Sequence, residues 1–265
     1  MERFLKHTPL PLWDTLPLPH PEAPFVPHIR AYPVKGSRAA VVIYPGGGYF
    51  QLSEVSEGSD IAEAYNERGF SAFVVKYRYK PSDGHAILAD GHRGVQFARF
   101  HAAHLGFDPD KIAVCGFSAG GHLAMAVCEH EVEFADGAIG RESAHPNACI
   151  LGYPVVTLGD GTFPTMPEIF LGDKKDDAVS IASYSYPYRL DRMPPTFSFY
   201  SKNDTAVDYN KNAEAITGSL RGIGTYAECH AFSDAAHGTG LGKAFPDFSQ
   251  WFELSVAFLN KVFGL

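Results

Sequence analysis

Apolar positions along the chain follow two different periods, and the change from one to the other recurs from about residue 29 to the end. Ala-Val-Val-Ile-Tyr at 40–44, Phe-Val-Val at 73–75 and Ile-Ala-Val-Cys at 112–115 are short, continuous apolar runs. Strands covered on both faces need such runs. Seven strands are expected: Ile29 to Val34, Ala39 to Tyr44, Phe70 to Tyr77, Lys111 to Cys115, Ala148 to Gly152, Pro195 to Tyr200 and Thr225 to Phe232. Helical spacing takes over near 60–68, 87–104, 119–130, 207–221 and 247–263. The first helix is expected to start at Ser59 or Asp60, with Glu63 placed for a capping box and Gly69 as its stop. The last carries Phe248, Trp251, Phe252, Val256, Phe258 and Leu259, a wide apolar stripe that must pack on a sheet. Strands alternating with helices predict an α/β fold with a mostly parallel central sheet and helices on both faces.

Two stretches break the pattern. Residues 1–28 hold seven prolines and neither period, which predicts an extended arm lying over the domain. Residues 153–193 are rich in Gly, Pro and Tyr, with short helical pieces near 166–171 and 177–183. A connection of that length inside a compact domain is usually functional, and it reads as a small lid. The expected organisation is an arm at 1–28 and a single catalytic domain at 29–265 carrying the lid.

Composition narrows the class. At 265 residues, 45% hydrophobic and 20% charged, the chain is an ordinary globular domain large enough for a real core. Its 22 basic and 30 acidic side chains give a formal charge of −8. An acidic balance without basic runs argues against nucleic acid and anionic membrane surfaces as partners. Cys115, Cys128, Cys149 and Cys229 are scattered, so free thiols are expected rather than a disulfide framework. No signal peptide or membrane span can be read, and a cytoplasmic location is expected.

The decisive chemistry lies at 111–123. A strand runs through Gly116-Phe117-Ser118-Ala119-Gly120 directly into a helix. The chain must turn sharply, so small residues are needed two positions to either side of the serine. The turn then lifts the serine oxygen clear of the sheet at the positive end of a helix dipole. A bare Gly-rich turn with an N-capping serine is the plain alternative, but the strand before and the helix after supply the context the motif demands. Upstream, strand 39–44 ends in Pro45-Gly46-Gly47-Gly48-Tyr49. The backbone amides of Gly47 and Gly48, with that of Ala119, are candidates for an oxyanion hole. A phosphate loop would end in Lys-Ser or Lys-Thr, and none follows.

A base and an orienting acid are expected on later loops. Asp204 follows the strand at 195–200, and His237 lies on the Gly-rich loop after the strand at 225–232. Asp208 and Asp234 are rival acids. In this scheme His237 takes the proton of Ser118 and returns it to the leaving group, while Asp204 holds the imidazole tautomer. No metal or organic cofactor is required.

Tyr-Pro-Gly-Gly-Gly-Tyr at 44–49, Ser-Glu-Gly at 56–58, Tyr-Arg-Tyr at 77–79, Gly-Phe-Ser-Ala-Gly-Gly-His-Leu-Ala at 116–124, Tyr-Pro-Val at 153–155 and His-Gly-Thr-Gly-Leu at 237–241 resemble one known group. It is the acetyl-esterase and acetylxylan-esterase-like branch of the α/β-hydrolases, and the match runs from about residue 39 to the C-terminus. The resemblance implies an α/β-hydrolase fold and a serine esterase that removes acetyl groups from xylan-derived oligosaccharides or other small esters. Where the branch often has an Asp-Asp pair before Val-Pro, this chain has Asn203-Asp204, and Asp208 takes the place of the proline. Amide hydrolysis on the same residues and a catalytically dead binding protein are the rival readings. Tyr49, with the lid tyrosines Tyr184, Tyr186 and Tyr188, is a candidate for stacking on a sugar. His122 reads first as a hydrogen-bonded structural residue, and Arg78 with Asp90 as a candidate buried ion pair.

Overall fold

The computed structural model describes residues 8–19, 26–80, 83–132, 134, 136–188 and 190–265. Eight strands form one sheet: β1 (Pro9–Pro11), β2 (His28–Tyr32), β3 (Ala40–Tyr44), β4 (Ser71–Lys76), β5 (Ile112–Phe117), β6 (Ala148–Gly152), β7 (Thr196–Ser201) and β8 (Ala227–Phe232). Their order is β1-β2-β4-β3-β5-β6-β7-β8. The six strands β3 to β8 are parallel, while β2 pairs antiparallel with both β4 and β1. The mostly parallel sheet expected from the apolar runs is present.

Side chains on each strand alternate between two cores. Val42, Tyr44, Ile112 and Val114 face one layer, packed by α2 (Gly84–Leu105), α3 (Ala119–Glu129) and α6 (Ala215–Gly222). Val41, Ile43, Cys115 and Phe117 face the other, packed by α1 (Asp60–Glu67) and α7 (Trp251–Phe263). The aromatic stripe of α7 lands as expected: the Trp251 ring stacks on Phe199 of β7 with centroids 4.2 Å apart.

Several expected boundaries shift for local reasons. β2 stops at Tyr32 because Pro33 has no N–H to give the ladder, and the next amide, Val34, bonds the Ser71 hydroxyl instead. No capping box forms at α1, since Ser59 is already helical and makes no side-chain cap. The chain enters α1 through a wide π-helical turn over Val55–Ser59. Gly69, at φ 83°, ends that helix as expected. A second π-helical turn, Asn210–Glu214, leads into α6, and a tight turn at Phe248–Gln250 leads into α7.

The proline-rich arm is extended where it is described, and part of it is built into the sheet. Residues 1–7 and 20–25 of it lie outside the described residues, but Pro9–Pro11 adds a strand to the sheet. Behind it Leu12 and Trp13 are buried. The expected Arg78–Asp90 ion pair is present, bidentate at 2.8 Å on both arms and closed to solvent, and it anchors this segment. Trp13 donates its indole N–H to Asp90 at 2.8 Å, and Arg78 donates to the carbonyls of Pro17 and Leu18. Between β6 and β7 lie the two short helices α4 (Met166–Leu171) and α5 (Ala178–Ser183), close to their expected places. Among the described residues no helix is long and apolar enough to cross a membrane. All four cysteines are free.

Candidate active site

The chain passes from β3 outward to β4 and then returns to the other side of β3 to form β5. Ligands of parallel sheets bind where the order reverses in this way, beyond the carboxyl ends of the strands. The residues leaving those ends are Pro45 to Gly48 after β3, Ser118 after β5, Tyr153 after β6, Lys202 to Asp204 after β7 and Ser233 to His237 after β8.

Ser118 sits at φ 50°, ψ −118°, a conformation side chains rarely adopt, between the last residue of β5 and the first of α3. Glycines make the turn feasible. A Cβ on Gly116 would run into the Gly120 carbonyl, and one on Gly120 would run into the Tyr44 carbonyl. The Ser118 amide donates to the Gly152 carbonyl at 3.0 Å, and its own carbonyl accepts from Gly121 at 3.0 Å and Val155 at 3.1 Å. The strain is therefore held by hydrogen bonds on both sides.

Three expected residues meet here. Ser118 Oγ lies 2.8 Å from His237 Nε2, and His237 Nδ1 lies 2.6 Å from Asp204 Oδ2. The other Asp204 oxygen accepts the backbone amides of Ala206 at 2.9 Å and Val207 at 3.0 Å. Burial alone would raise the Asp204 carboxyl. The His237 hydrogen bond and charge, with the two amides, outweigh it and hold the group below its ordinary value. The rival acids are occupied elsewhere. Asp208 Oδ1 accepts the Asn210 amide, and the Asp234 carboxylate accepts the amides of Asp247 and Phe248 just ahead of α7.

A cavity of about 220 Å³ opens over Ser118 and His237, lined also by Gly47, Gly48, Phe50, Glu57, Phe163 and Met166. Gly47 and Gly48 adopt φ 130° and 63°, accessible to glycine. Ala119 is the first residue of α3, directly after the nucleophile candidate. Phe50 also borders a neighbouring cleft of about 500 Å³ that holds Lys80, Thr165 and Glu168. A separate cavity of about 290 Å³ lies between β1 and α2, and among the described residues no serine, threonine or cysteine lines it.

Tyr49 corrects the sequence reading. Its φ of 64° turns the ring inward, where it is fully buried and its hydroxyl lies 2.8 Å from His122 Nδ1. The exposed aromatic side chain is its neighbour Phe50, at 46%. His122 is the hydrogen-bonded structural residue expected. Its Nε2 faces the Tyr184 carbonyl at 3.0 Å and so carries the proton. Burial lowers His122 to about 4, so its neutral Nδ1 accepts from Tyr49. Tyr186 is buried and packs on the His122 ring, and Tyr184 packs on Phe170 and His130, so neither lines the cavity.

Sequence reasoning missed Glu57. It stands within the Ser-Glu-Gly of 56–58, to which the sequence reading gives no role, and the neighbouring Glu54 pairs with Arg30 and Lys76. Glu57 is only 2% exposed. It accepts the Gly46 amide at 2.8 Å and the Tyr153 hydroxyl at 2.7 Å. Nothing in hydrophobic periodicity marks a carboxylate turned inward by a π-helical turn.

Comparison with known proteins follows the same lines. A profile of the family described as BD-FAE matches residues 31–217. An acetylxylan esterase of Xylanibacter ruminicola is 29% identical over 217 residues, covering 80% of this chain and 43% of that protein. Endo-1,4-beta-xylanase B of Butyrivibrio fibrisolvens is 29% identical over 208 residues, covering 74% of this chain and 32% of that protein. The chain thus spans less than half the length of these two relatives. The crystal structure of an acetyl ester-xyloside bifunctional hydrolase from Caldicellulosiruptor lactoaceticus superposes with a TM-score of 0.89 at 30% identity, covering 97% of both chains. The fold is that of the α/β-hydrolases.

Proposed function

The chain belongs to the BD-FAE family, and from that premise we propose that it is a serine carboxylesterase that removes acetyl groups from xylan-derived or similar oligosaccharides. The observation that carries this reading is the hydrogen-bonded series Ser118, His237, Asp204, with spacings of 2.8 and 2.6 Å. Ser118 Oγ attacks the acyl carbon while His237 Nε2 takes its proton. Asp204 keeps the Nδ1 proton in place and stabilises the imidazolium that forms. Charge on the carbonyl oxygen is met by the amides of Gly47, Gly48 and Ala119. The alcohol leaves with the proton from His237, and a water activated by the same imidazole frees acetate.

Substrate class follows from the surroundings of this series. A cavity of about 220 Å³ suits a short acyl chain. Phe50 and Phe163, 46% and 39% exposed, offer aromatic faces at its rim on which a sugar can stack. The names of the relatives, an acetylxylan esterase and a xylanase, favour acetylated xylose units. In this reading 29–265 is one catalytic domain and 153–193 its lid, with Phe163 and Met166 facing the cavity. Four free thiols fit a reducing compartment, and we place the enzyme in the cytoplasm, acting on imported oligosaccharides. Recovery chiefly from the culture medium would overturn that placement. Neither nucleic acid nor membrane enters this scheme.

The test is acetate release from acetylated xylo-oligosaccharides and from p-nitrophenyl acetate by wild type and Ser118→Ala. Wild type is expected to act on both, and the variant to lose on the order of 10⁴-fold or more. Cleavage of the synthetic ester alone removes the sugar assignment. Near-full activity of Ser118→Ala removes the mechanism.

A further inference from the structure

We propose that Glu57 is a positioning residue of this reaction: its buried carboxylate ties the glycine loop after β3 to the loop that carries His237, and it places negative charge beside that imidazole. The proposal rests on the serine-hydrolase reading and assigns a role to a side chain that the mechanism above leaves idle.

The contacts form one continuous path. Gly46 donates its amide to Glu57 Oε2 at 2.8 Å. Tyr153 donates its hydroxyl to Glu57 Oε1 at 2.7 Å, and the Tyr153 oxygen accepts the Gly240 amide at 3.0 Å. Gly240 is three residues beyond His237 and is held from behind by the Trp251 indole, which donates to its carbonyl at 3.1 Å. The two loops that bracket the reacting carbonyl are therefore joined through one carboxylate and one phenol. Backbone details show how closely this path is built. A Cβ on Gly46 would lie 2.8 Å from Glu57 Oε2 and 3.0 Å from Ser118 Cβ, so the carboxylate approaches the root of the nucleophile only because residue 46 is glycine. Tyr153 is held at φ 33°, a conformation retained where surrounding structure over-determines it.

The direction of the hydrogen bonds identifies the charge state that the site fits. The Gly46 amide can only donate, and the Tyr153 hydroxyl, with the Gly240 amide on its oxygen, donates to Glu57. Both are met by an ionised carboxylate, which accepts at each oxygen and has no proton of its own to place. Burial pushes Glu57 above the usual carboxylate range, while its donors, Ser53 among them, and the charge of His237 act in the opposite sense. The other titratable groups facing it are Tyr153 after β6, Tyr77 after β4 and Cys115 on β5, and burial raises all three, leaving them neutral. His237 is thus the partner whose charge changes during turnover. Its ring packs edge-on against Tyr153, centroids 5.0 Å apart. As the imidazolium forms, an ionised Glu57 stabilises it; through Gly46 the same group keeps the Gly47 and Gly48 amides aimed.

The experiment measures kcat and KM on p-nitrophenyl acetate from roughly pH 5 to 9 for wild type, Glu57→Gln, Tyr153→Phe, their double variant and Ser118→Ala, with thermal unfolding of each. Glutamine keeps the shape and removes the charge. Glu57→Gln is expected to lower kcat on the order of 10²-fold, the typical cost of misplacing a site by about 1 Å, with KM nearly unchanged. Its acid limb in kcat/KM is expected to move to lower pH, because the imidazolium loses a neighbouring anion. Tyr153→Phe lowers kcat less, and the double variant falls short of the product of the two losses. A Glu57→Gln enzyme with wild-type kcat overturns the proposal. So does one whose kcat falls with its melting temperature while the acid limb stays in place. Activity surviving in Ser118→Ala would instead overturn the serine-hydrolase reading itself.

Discussion

Asp204→Asn separates the charge of the acid from its shape, and the structure sets the size of the effect. Both carboxylate oxygens are in use: Oδ2 accepts from His237 Nδ1, and Oδ1 accepts the amides of Ala206 and Val207. Asparagine fills the same space but has one oxygen. Turning that oxygen to His237 would set an NH2 group against two backbone donors, at about 1–3 kcal/mol for each group left unsatisfied. The oxygen therefore stays on the amides, and the NH2 faces Nδ1. That nitrogen must then accept, which moves the ring proton to Nε2, the atom 2.8 Å from Ser118 Oγ. A protonated Nε2 cannot take the serine proton. The expected loss in kcat is about 10⁴-fold, as when such a tautomer is inverted, or about 5 kcal/mol of barrier. Release of p-nitrophenol from the acetate ester measures it, and the melting temperature stays near wild type because the loop keeps its cap. Asp208→Asn, whose carboxylate accepts only from the backbone and side-chain amides of Asn210, serves as control with unchanged kcat. An Asp204→Asn enzyme within tenfold of wild type, or an equal loss in Asp208→Asn, refutes the reasoning.

Further outcomes follow from packing and burial. Gly120→Ala drives a methyl group into the Tyr44 carbonyl and toward that of Pro45, both backbone atoms that cannot swing aside. A loss of about 3 kcal/mol is expected in urea unfolding, and a neutral substitution would show the elbow to be looser than described. Asp90→Asn leaves the Arg78 guanidinium, 1% exposed, without its anion. A penalty of about 3–5 kcal/mol is expected in the same assay, and less than 1 would mean water reaches the pair. Burial holds His92 and His122 at about 4. Between about 6.5 and 4 the unfolded chain takes up protons there while the folded chain does not, so their contribution is full above that window and declines as pH falls through it. The decline is worth about 3 kcal/mol for each histidine. Glu57 and Asp90, raised by burial, act with the opposite sign, so the comparison is between wild type and His92→Gln. The variant should lose less stability between pH 7 and about pH 4, and parallel curves would contradict the burial argument.

What the sequence made legible is whatever short-range rules decide. The runs at 40–44 and 112–115 had to be covered strands because nothing polar interrupts them. The glycines two positions either side of Ser118 announced a turn no larger residue could make. Asp204 and His237 were found from their places just past two strands. Burial decided by distant partners was not legible. Tyr49 was given to the substrate because tyrosine often stacks on sugars, yet a left-handed backbone sends it to His122, 73 positions away. Glu57 was given no role because only the fold brings Gly46 and Tyr153 to it. Asp60 and Glu63 had the spacing of a capping box, but the π-helical turn ahead of them had already satisfied that end of α1. The proline arm lacked a strand period because three residues are too few to show one.

The short outer strand Pro9–Leu10–Pro11 has a consequence for how the molecule coexists with copies of itself. A sheet edge is a template: a row of unpaired amides and carbonyls on β2, from His28 to Tyr32, would accept any extended segment of matching register. The arm fills that row itself, pairing Leu10 with Ile29. Two of its three residues have no amide hydrogen, so the new edge has almost nothing to donate to a further strand. The segment that ends this side of the sheet is thus also the one that keeps it from growing past β2, which leaves β8 as the edge with a regular row of amides and carbonyls.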